Sequence, residues 1–296
     1  MKTIFIVPYR ERPQHKFFFI KHLLYLMEDV PKTDFQILFI HQCDNRNFNR
    51  GAIKNIGFIV AKRLYPETYK DITFVFHDID TLPFFKLFNY ETVHSSVKHF
   101  YGFETALGGI FAIKGSDFEK TNGFPNYWGW GMEDACIQQR CLKKGLIINR
   151  DEFHPIGNPN ILQFFDGVNR LVSKRDHQRM KYDNGFDGLS TIHRLVYQVV
   201  NDGQSLNPND NKFIFQNDAN VNMVNVTSFF TAITPEKDSY ILYDLRDPIQ
   251  QVIKQNKQNN STTVTDFKQN DWCRIPPHNM TDQLLINRTQ TLHNRR

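Results

Sequence analysis

Three short apolar runs constrain the fold of this chain more than any other feature. Thr3 to Val7, Phe35 to Ile40 and Thr73 to Phe76 are each rich in β-branched and aromatic residues, and each runs straight into a polar cluster. Runs of that length and composition read as buried strands. Between them lie two helical patterns. Pro13 to Glu28 repeats apolar residues at three and four, and Gly51 to Leu64 puts Ile53, Ile56, Val60 and Leu64 on one stripe. Strand, helix, strand, helix, strand predicts an α/β chain built on a parallel, doubly wound sheet. Ligands of such sheets lie at the carboxyl ends of the strands. The sequence places Pro8-Tyr9-Arg10-Glu11-Arg12, His41 to Arg50, and His77-Asp78-Ile79-Asp80 there, so arginines and carboxylates converge on one edge.

Further along, the glycines of Ala106 to Ile113 allow a close approach of backbone to ligand, and a strand follows. The stretch Asn122-Gly123-Phe124-Pro125-Asn126-Tyr127-Trp128-Gly129-Trp130-Gly131-Met132-Glu133-Asp134 alternates large rings with glycines and ends on an acidic pair. It reads as a mobile loop whose tryptophans suit a sugar ring and whose carboxylates could take a hydroxyl proton. Taken alone, the same residues fit equally well a turn with two tryptophans in the core. Glu133 to Lys144 reads as a helix ended by Gly145. Arg150 to Asn169 is irregular, and Lys174 to Lys181 is a charged, helix-like segment. Leu195 to Val200, Phe213 to Phe215, Met223 to Ile233 and Tyr240 to Leu245 read as strands. Gln250 to Gln269 reads as a polar linker, and a basic tail closes the chain. The expected division is a main domain over residues 1–235 and a carboxyl-terminal extension over 236–296.

At 296 residues with a formal net charge of +5, the chain can bury a sizeable core and tolerate an anionic ligand. Its basic residues are scattered among acidic ones, so no nucleic-acid stripe forms. Cys43, Cys136, Cys141 and Cys273 have neither metal nor redox spacing, which fits a reducing compartment. The apolar start is cut short by Pro8, Arg10, Glu11 and Arg12, and Phe17 to Met27 is too short to span a bilayer. The expectation is therefore a cytoplasmic or otherwise soluble intracellular protein with no integral membrane segment. Its five glycosylation sequons, the one at Asn225 among them, then reflect only an asparagine-rich chain.

Asp78 and Asp80 sit two apart at a strand end. Alternation sends both carboxylates to one side, where one can bind a hard divalent cation and the other can meet ligand or water. Arg10, Arg12 and Arg50 can fork onto phosphates or a base, and Tyr9 and Phe48 can pack a nucleobase. Surface ion pairs and core aromatics are the competing readings of these residues.

With these clusters in one order, the chain resembles the β-1,4-galactosyltransferase family, glycosyltransferases of the GT-A fold. The matching residues are Val7-Pro8-Tyr9-Arg10-Glu11-Arg12, Phe48-Asn49-Arg50-Gly51-Ala52 with Asn55-Ile56-Gly57-Phe58, Asp78-Ile79-Asp80, Gly108-Gly109, and Asn122-Gly123-Phe124 through Trp128-Gly129-Trp130-Gly131 to Glu133-Asp134. Downstream, Lys174-Arg175-Asp176 with Arg179, and Asp187-Gly188-Leu189 before Tyr197-Gln198-Val199, look nearer the branch that acts on xylose of proteoglycan linkers. The resemblance implies a mostly parallel, Rossmann-like sheet and a metal-dependent, inverting transfer of a hexose, galactose as first guess, from a UDP-sugar to a hydroxyl of a carbohydrate or glycoconjugate acceptor. It implies that Pro8, Tyr9, Arg10, Arg12, Phe48 and Arg50 hold the nucleotide. Asp78, Ile79 and Gly109 would line the donor site, and Asp80 would ligate Mn²⁺. Trp130 would close over the donor, Trp128 and Glu133 would bind acceptor, and Asp134 would be the general base.

The chain departs from the family in several places. Where the family's later histidine ligands are expected, it has Gln163 and Phe165, or Asp166 and Val168, depending on the direction of counting. Asp166 could replace them as an oxygen ligand, or His154 could reach in from another loop. Ala106 stands where many relatives carry a tyrosine that helps choose the donor sugar, so an N-acetylated or other hexose is a second option. Ala135 replaces a further acidic residue. The family's amino-terminal anchor is missing from this sequence, which would suit a viral or microbial relative. The alternative function is a catalytically weak carbohydrate-binding module on the same fold. A nucleotidyltransferase is a third reading, but it leaves the Trp-Gly-Trp-Gly segment unexplained.

Overall fold

The computed structural model describes residues 1–164, 169–201, 220–235 and 240–244, together with the backbone of strand segments at 252–255 and 262–265. In chain order the first elements are β1 (Thr3–Tyr9), α1 (Pro13–Leu26), β2 (Phe35–Gln42), α2 (Arg50–Leu64) and β3 (Thr73–His77). They are followed by β4 (Thr81–Pro83), β5 (Ser96–Gly102), β6 (Ile110–Lys114), α3 (Gly115–Lys120), α4 (Glu133–Lys143), β7 (Ile147–Asn149), β8 (His154–Pro155) and β9 (Ile161–Gln163). The last are β10 (Asn169–Ser173), α5 (Asp176–Lys181), β11 (His193–Asn201), β12 (Val221–Phe230), β13 (Tyr240–Asp244), β14 (Val252–Gln255) and β15 (Thr262–Thr265).

The main sheet runs β11-β12-β2-β1-β3-β6-β5-β7, with β8 also on β5. β12, β2, β1 and β3 are parallel neighbours; β11 and β6 run against them. β1 alternates its side chains between two cores. Ile4 and Ile6 pack with Ile53 and Ile56 of α2, whereas Phe5 and Val7 pack with Phe19, Ile20 and Leu23 of α1. One helix on each face is the doubly wound arrangement that the alternating runs predict. Full burial of each such apolar side chain contributes on the order of 1.5–3 kcal/mol, and these residues are 0–1% exposed. The fold is thereby anchored next to its ligand edge.

Local chemistry sets the helix starts. Pro13 occupies the first turn of α1, where the missing N–H costs nothing. The Asn49 side chain accepts the Ala52 amide at 2.9 Å and so caps α2, putting Arg50 at the helix's first position and on the ligand edge. α4 ends at Lys143, and Gly145 follows with φ of 73°.

Two expected features differ. The strand β5 falls in a stretch that the sequence left unassigned, because Lys98 and His99 break its apolar pattern. Part of the expected linker pairs instead as the antiparallel hairpin β14–β15. β13 pairs with β10, so the chain beyond residue 235 returns to the main unit through that ladder. The expected strand Phe213 to Phe215 and the basic tail lie outside the described residues. Among the described residues, no helix is long and apolar enough to cross a membrane.

Candidate functional site

Two adjoining cavities open at the ligand edge. One, of about 350 Å³, is lined by Pro8 of β1 and Arg10 and Arg12 just after it, by Arg46, Phe48 and Arg50 after β2, and by Ile79, Asp80, Trp130 and Arg170. The other, of about 140 Å³, is lined by Asp78, Asp80, Tyr101, Ala106, Gly108, Gly109, Trp130, Glu133, Asp134 and Gln163. Arg50, Asp80, Trp130 and Arg170 belong to both. Five arginines on the larger side suit a polyphosphate, and the smaller carboxylate-rich side suits hydroxyls.

The two acidic doublets meet. Arg50 Nη2 lies 2.8 and 2.7 Å from the two Asp78 oxygens, and its Nε lies 2.9 Å from Glu133 Oε1. Lys54, one turn on, donates to Asp134 Oδ1 at 2.7 Å and stands 3.8 Å from Asp78 Oδ1. Arg12 Nη1 reaches Asp80 Oδ2 at 3.2 Å. Asp78 is deeply enclosed; burial opposes its charge, but Arg50 and Lys54 overcome that and hold its carboxyl down to about 2. Asp134 goes the other way. Burial, with Glu133 and Asp78 nearby, pushes it up to about 6 despite the Lys54 ammonium. One oxygen of Glu133, Oε2, is buried with no hydrogen-bond partner among the described residues, an acceptor available to a ligand hydroxyl.

Glycine is required at two places here. Gly109 has φ of 64°, and a Cβ there would stand 2.5 Å from the Tyr101 carbonyl. At Gly108 a Cβ would come within 3.0 Å of Asp134 Oδ2, so its absence leaves that oxygen room.

Trp128 and Trp130 divide the two readings of their segment between them. Residues 123–129 are buried. Trp128 is 2% exposed and stacks on Phe229 at 5.6 Å, and its indole N–H donates to the Ile233 carbonyl at 2.6 Å. Its only way into the larger cavity is as a wall, with the Arg46 guanidinium 4.6 Å over its ring. Trp130 is half-buried between both cavities; its amide donates to Leu171 O at 2.7 Å and Arg170 stands 5.9 Å from its ring. Gly131, with φ of 94° and open space around it, is the unencumbered part of the loop.

Other expectations are placed as follows. Tyr9 is fully buried between Phe39 and His41, so its ring belongs to the core, whereas Phe48 lines the larger cavity. His154 pairs through its backbone with Tyr101 and packs its ring 5.7 Å from Phe88; it lines neither cavity. Asp166 lies outside the described residues. No group of three or more His, Cys, Asp or Glu converges as a metal site among the described residues. Of the two aspartates Asp80 is the better fit to a hard cation: Arg50 occupies both Asp78 oxygens, whereas Arg12 contacts only Oδ2 of Asp80, and the Gln163 side chain, whose carbonyl accepts from Tyr101 at 2.8 Å, brings an oxygen to the same cavity. Sequence reasoning missed Lys54, Arg46, Arg170 and Gln163's place in the cleft. Only the four-residue spacing from Arg50 to Lys54, one face of a helix, could have flagged the lysine.

This architecture is the GT-A fold of sugar-nucleotide transferases. The crystal structure of the catalytic domain of Drosophila β-1,4-galactosyltransferase 7 with xylobiose superposes with a TM-score of 0.60 at 23% identity, covering 76% of this chain and 93% of that one. A second Drosophila structure of that enzyme, a mutant in complex with manganese, UDP-Gal and xylobiose, gives 0.57 at 21% identity, with the same coverage of each chain. The model for the N-terminal region of glycosyl transferase group 7 matches residues 1–91, and that for the N-terminal domain of galactosyltransferase matches residues 90–163. The chain is 33% identical to mouse (Mus musculus) β-1,4-galactosyltransferase 1 over 215 residues, 67% of this chain and 51% of the relative. It is 31% identical to human (Homo sapiens) β-1,4-galactosyltransferase 4 over 159 residues, 50% and 45% respectively. The chain belongs to the β-1,4-galactosyltransferase family. It spans about half the length of the curated relatives it matches.

Proposed function

We propose that the chain is a metal-dependent, inverting glycosyltransferase that moves a hexose from a UDP-sugar to a hydroxyl of a carbohydrate or glycoconjugate. The observation that carries this reading is the joining of Asp78 and Glu133 by Arg50 at the seam of an arginine-lined and a carboxylate-lined cavity. A diphosphate leaving group and an attacking alcohol need those two environments side by side.

In this reading Arg10, Arg12 and Arg46 face the nucleotide diphosphate, and Phe48 faces its base. Asp80, with Gln163 beside it, holds a divalent cation, Mn²⁺ as first choice, whose chemistry is to neutralise charge on the departing diphosphate. Glu133 takes acceptor hydroxyls on its open oxygen. Asp134, with a carboxyl held near 6, is ionised at neutral pH yet basic enough to take the acceptor's proton as the new glycosidic bond forms. Trp130 covers the donor from the loop side. Ala106 and Gly108 leave space near the sugar, so galactose is the first donor to try and an N-acetylated hexose the second. The likeness of the downstream segments to the xylose-acting branch makes xylosides the first acceptors. Free thiols at Cys136 and Cys141 fit a reducing compartment and a soluble intracellular location.

UDP release is the decisive assay. Release that requires both Mn²⁺ and an acceptor supports the transferase; binding of UDP-sugars with no turnover under any acceptor would return the carbohydrate-binding module.

A further inference from the structure

Lys54 projects from the middle of α2 into surroundings where lysine is costly. Its side chain is 2% exposed, and its helix neighbours Ile53 and Ile56 are fully buried. A buried ammonium gives up its hydration, so an apolar residue would sit at this position at lower cost. What the lysine gains is charge contact, at 2.7 Å to Asp134 Oδ1 and at 3.8 Å to Asp78 Oδ1, with the Phe124 ring 4.7 Å below it. Asp78 is already taken through both oxygens by Arg50. Asp134, by contrast, has Lys54 as its close ion-pair partner among the described residues.

The groups facing Asp134 are Lys54 and Arg50 from α2, Glu133 from its own helix and Asp78 from the loop after β3. With Asp134 itself, three carboxylates share two cations. Removing Lys54 leaves Asp134 beside two other carboxylates and a single guanidinium that both of them already engage. Lys54 binds Oδ1, whereas Oδ2 lies on the side where Gly108 lacks a side chain, at the wall of the smaller cavity.

We propose that Lys54 is a positioning residue for the transfer: it pins Oδ1 of Asp134, keeps that carboxylate ionised, and so assigns Oδ2 as the oxygen that takes the acceptor's proton. This rests on the reading of Asp134 as the base. Burial already holds Asp134 near 6 with the ammonium in place, and loss of the ammonium acts in the same direction.

The test is a carbon-13 NMR titration of labelled aspartates in the ligand-free protein, with Asp134→Asn identifying the resonance, run beside the pH profile of transfer. Lys54→Met should raise the Asp134 midpoint by about one pH unit or more and shift the acid limb of kcat/KM by the same amount. Donor KM should change by less than about threefold, since Lys54 lines neither cavity. Lys54→Arg should restore most of the shift. Lys54→Gln, which keeps a hydrogen-bond donor but no charge, gives the same reading where the apolar variant fails to fold. A raised midpoint in a protein that transfers no sugar supports this role for Lys54 in setting Asp134's charge and removes the transferase reading. An active transferase whose midpoint and acid limb both ignore the substitution overturns the inference.

Discussion

Arg50 engages Asp78 through a single terminal nitrogen that touches both carboxylate oxygens, leaving its Nε for Glu133. One guanidinium thus ties the end of β3 to the start of α4. A lysine offers a point charge in place of that planar fork. Removing one partner from a buried ion pair costs on the order of 3–5 kcal/mol, and the Arg50 side chain is 14% exposed. Arg50→Met should therefore lower unfolding free energy by about 3 kcal/mol, read by urea denaturation. A loss below about 1 kcal/mol would mean that the doublets are held together by other contacts.

As the proposed base, Asp134 should set the pH dependence of transfer. Its folded carboxyl lies near 6, above its ordinary 3.8, so kcat/KM should fall about tenfold per unit below that point and level off above it. For stability the sign is unfavourable: the folded state holds this proton more tightly than the unfolded chain, so Asp134 costs stability as pH rises from 3.8 through about 6. Asp134→Asn should remove that slope in a thermal-melt series and lower transfer by about 10²–10⁴-fold while donor binding persists. Normal transfer by this variant would mean that another group is the base.

Asp80→Ala should weaken Mn²⁺ and UDP-sugar binding together, because one carboxylate serves both. Calorimetric titration with UDP in the presence and absence of Mn²⁺ reads this directly. Unchanged isotherms would take Asp80 out of the cation site.

The two tryptophans should separate stability from binding. Trp128→Ala removes a stacked core ring and its hydrogen bond, and should cost about 3–5 kcal/mol. Trp130→Ala should cost less than about 1 kcal/mol yet weaken donor binding by tenfold or more, since its half-buried ring lines both cavities. Paired denaturation and UDP-binding measurements check both; equal stability losses would put Trp130 in the core as well.

Much of the site was readable because strand ends announce themselves. The runs ending at Val7, Ile40 and Phe76 place their polar clusters on one edge, and the observed strands continue one or two residues further into those clusters. Long-range packing was not readable. Trp128 and Trp130 are indistinguishable in sequence; the first becomes a core residue through the Phe229 ring, the Thr231 hydroxyl and the Ile233 carbonyl, with Thr231 103 residues along the chain. Lys54 was hidden for the opposite reason: a lysine within a helix pattern ordinarily marks a solvent face, and its burial depends on carboxylates from two other segments. Tyr9 looked available for a base, but alternation along β1 turns its ring inward onto Phe39.

The strand β12 lies parallel to β2 and carries Phe229 beside the indole of Trp128, and the Arg46 guanidinium stands 4.6 and 4.5 Å over the two rings. This wall of the larger cavity is therefore underpinned by a segment far downstream of residue 163, where the family models stop matching. A fragment trimmed to the matched region would keep Asp78, Asp80, Glu133 and Asp134, yet the Phe229 half of the platform under Arg46 would go missing and take with it the prearranged charge proposed to greet the diphosphate.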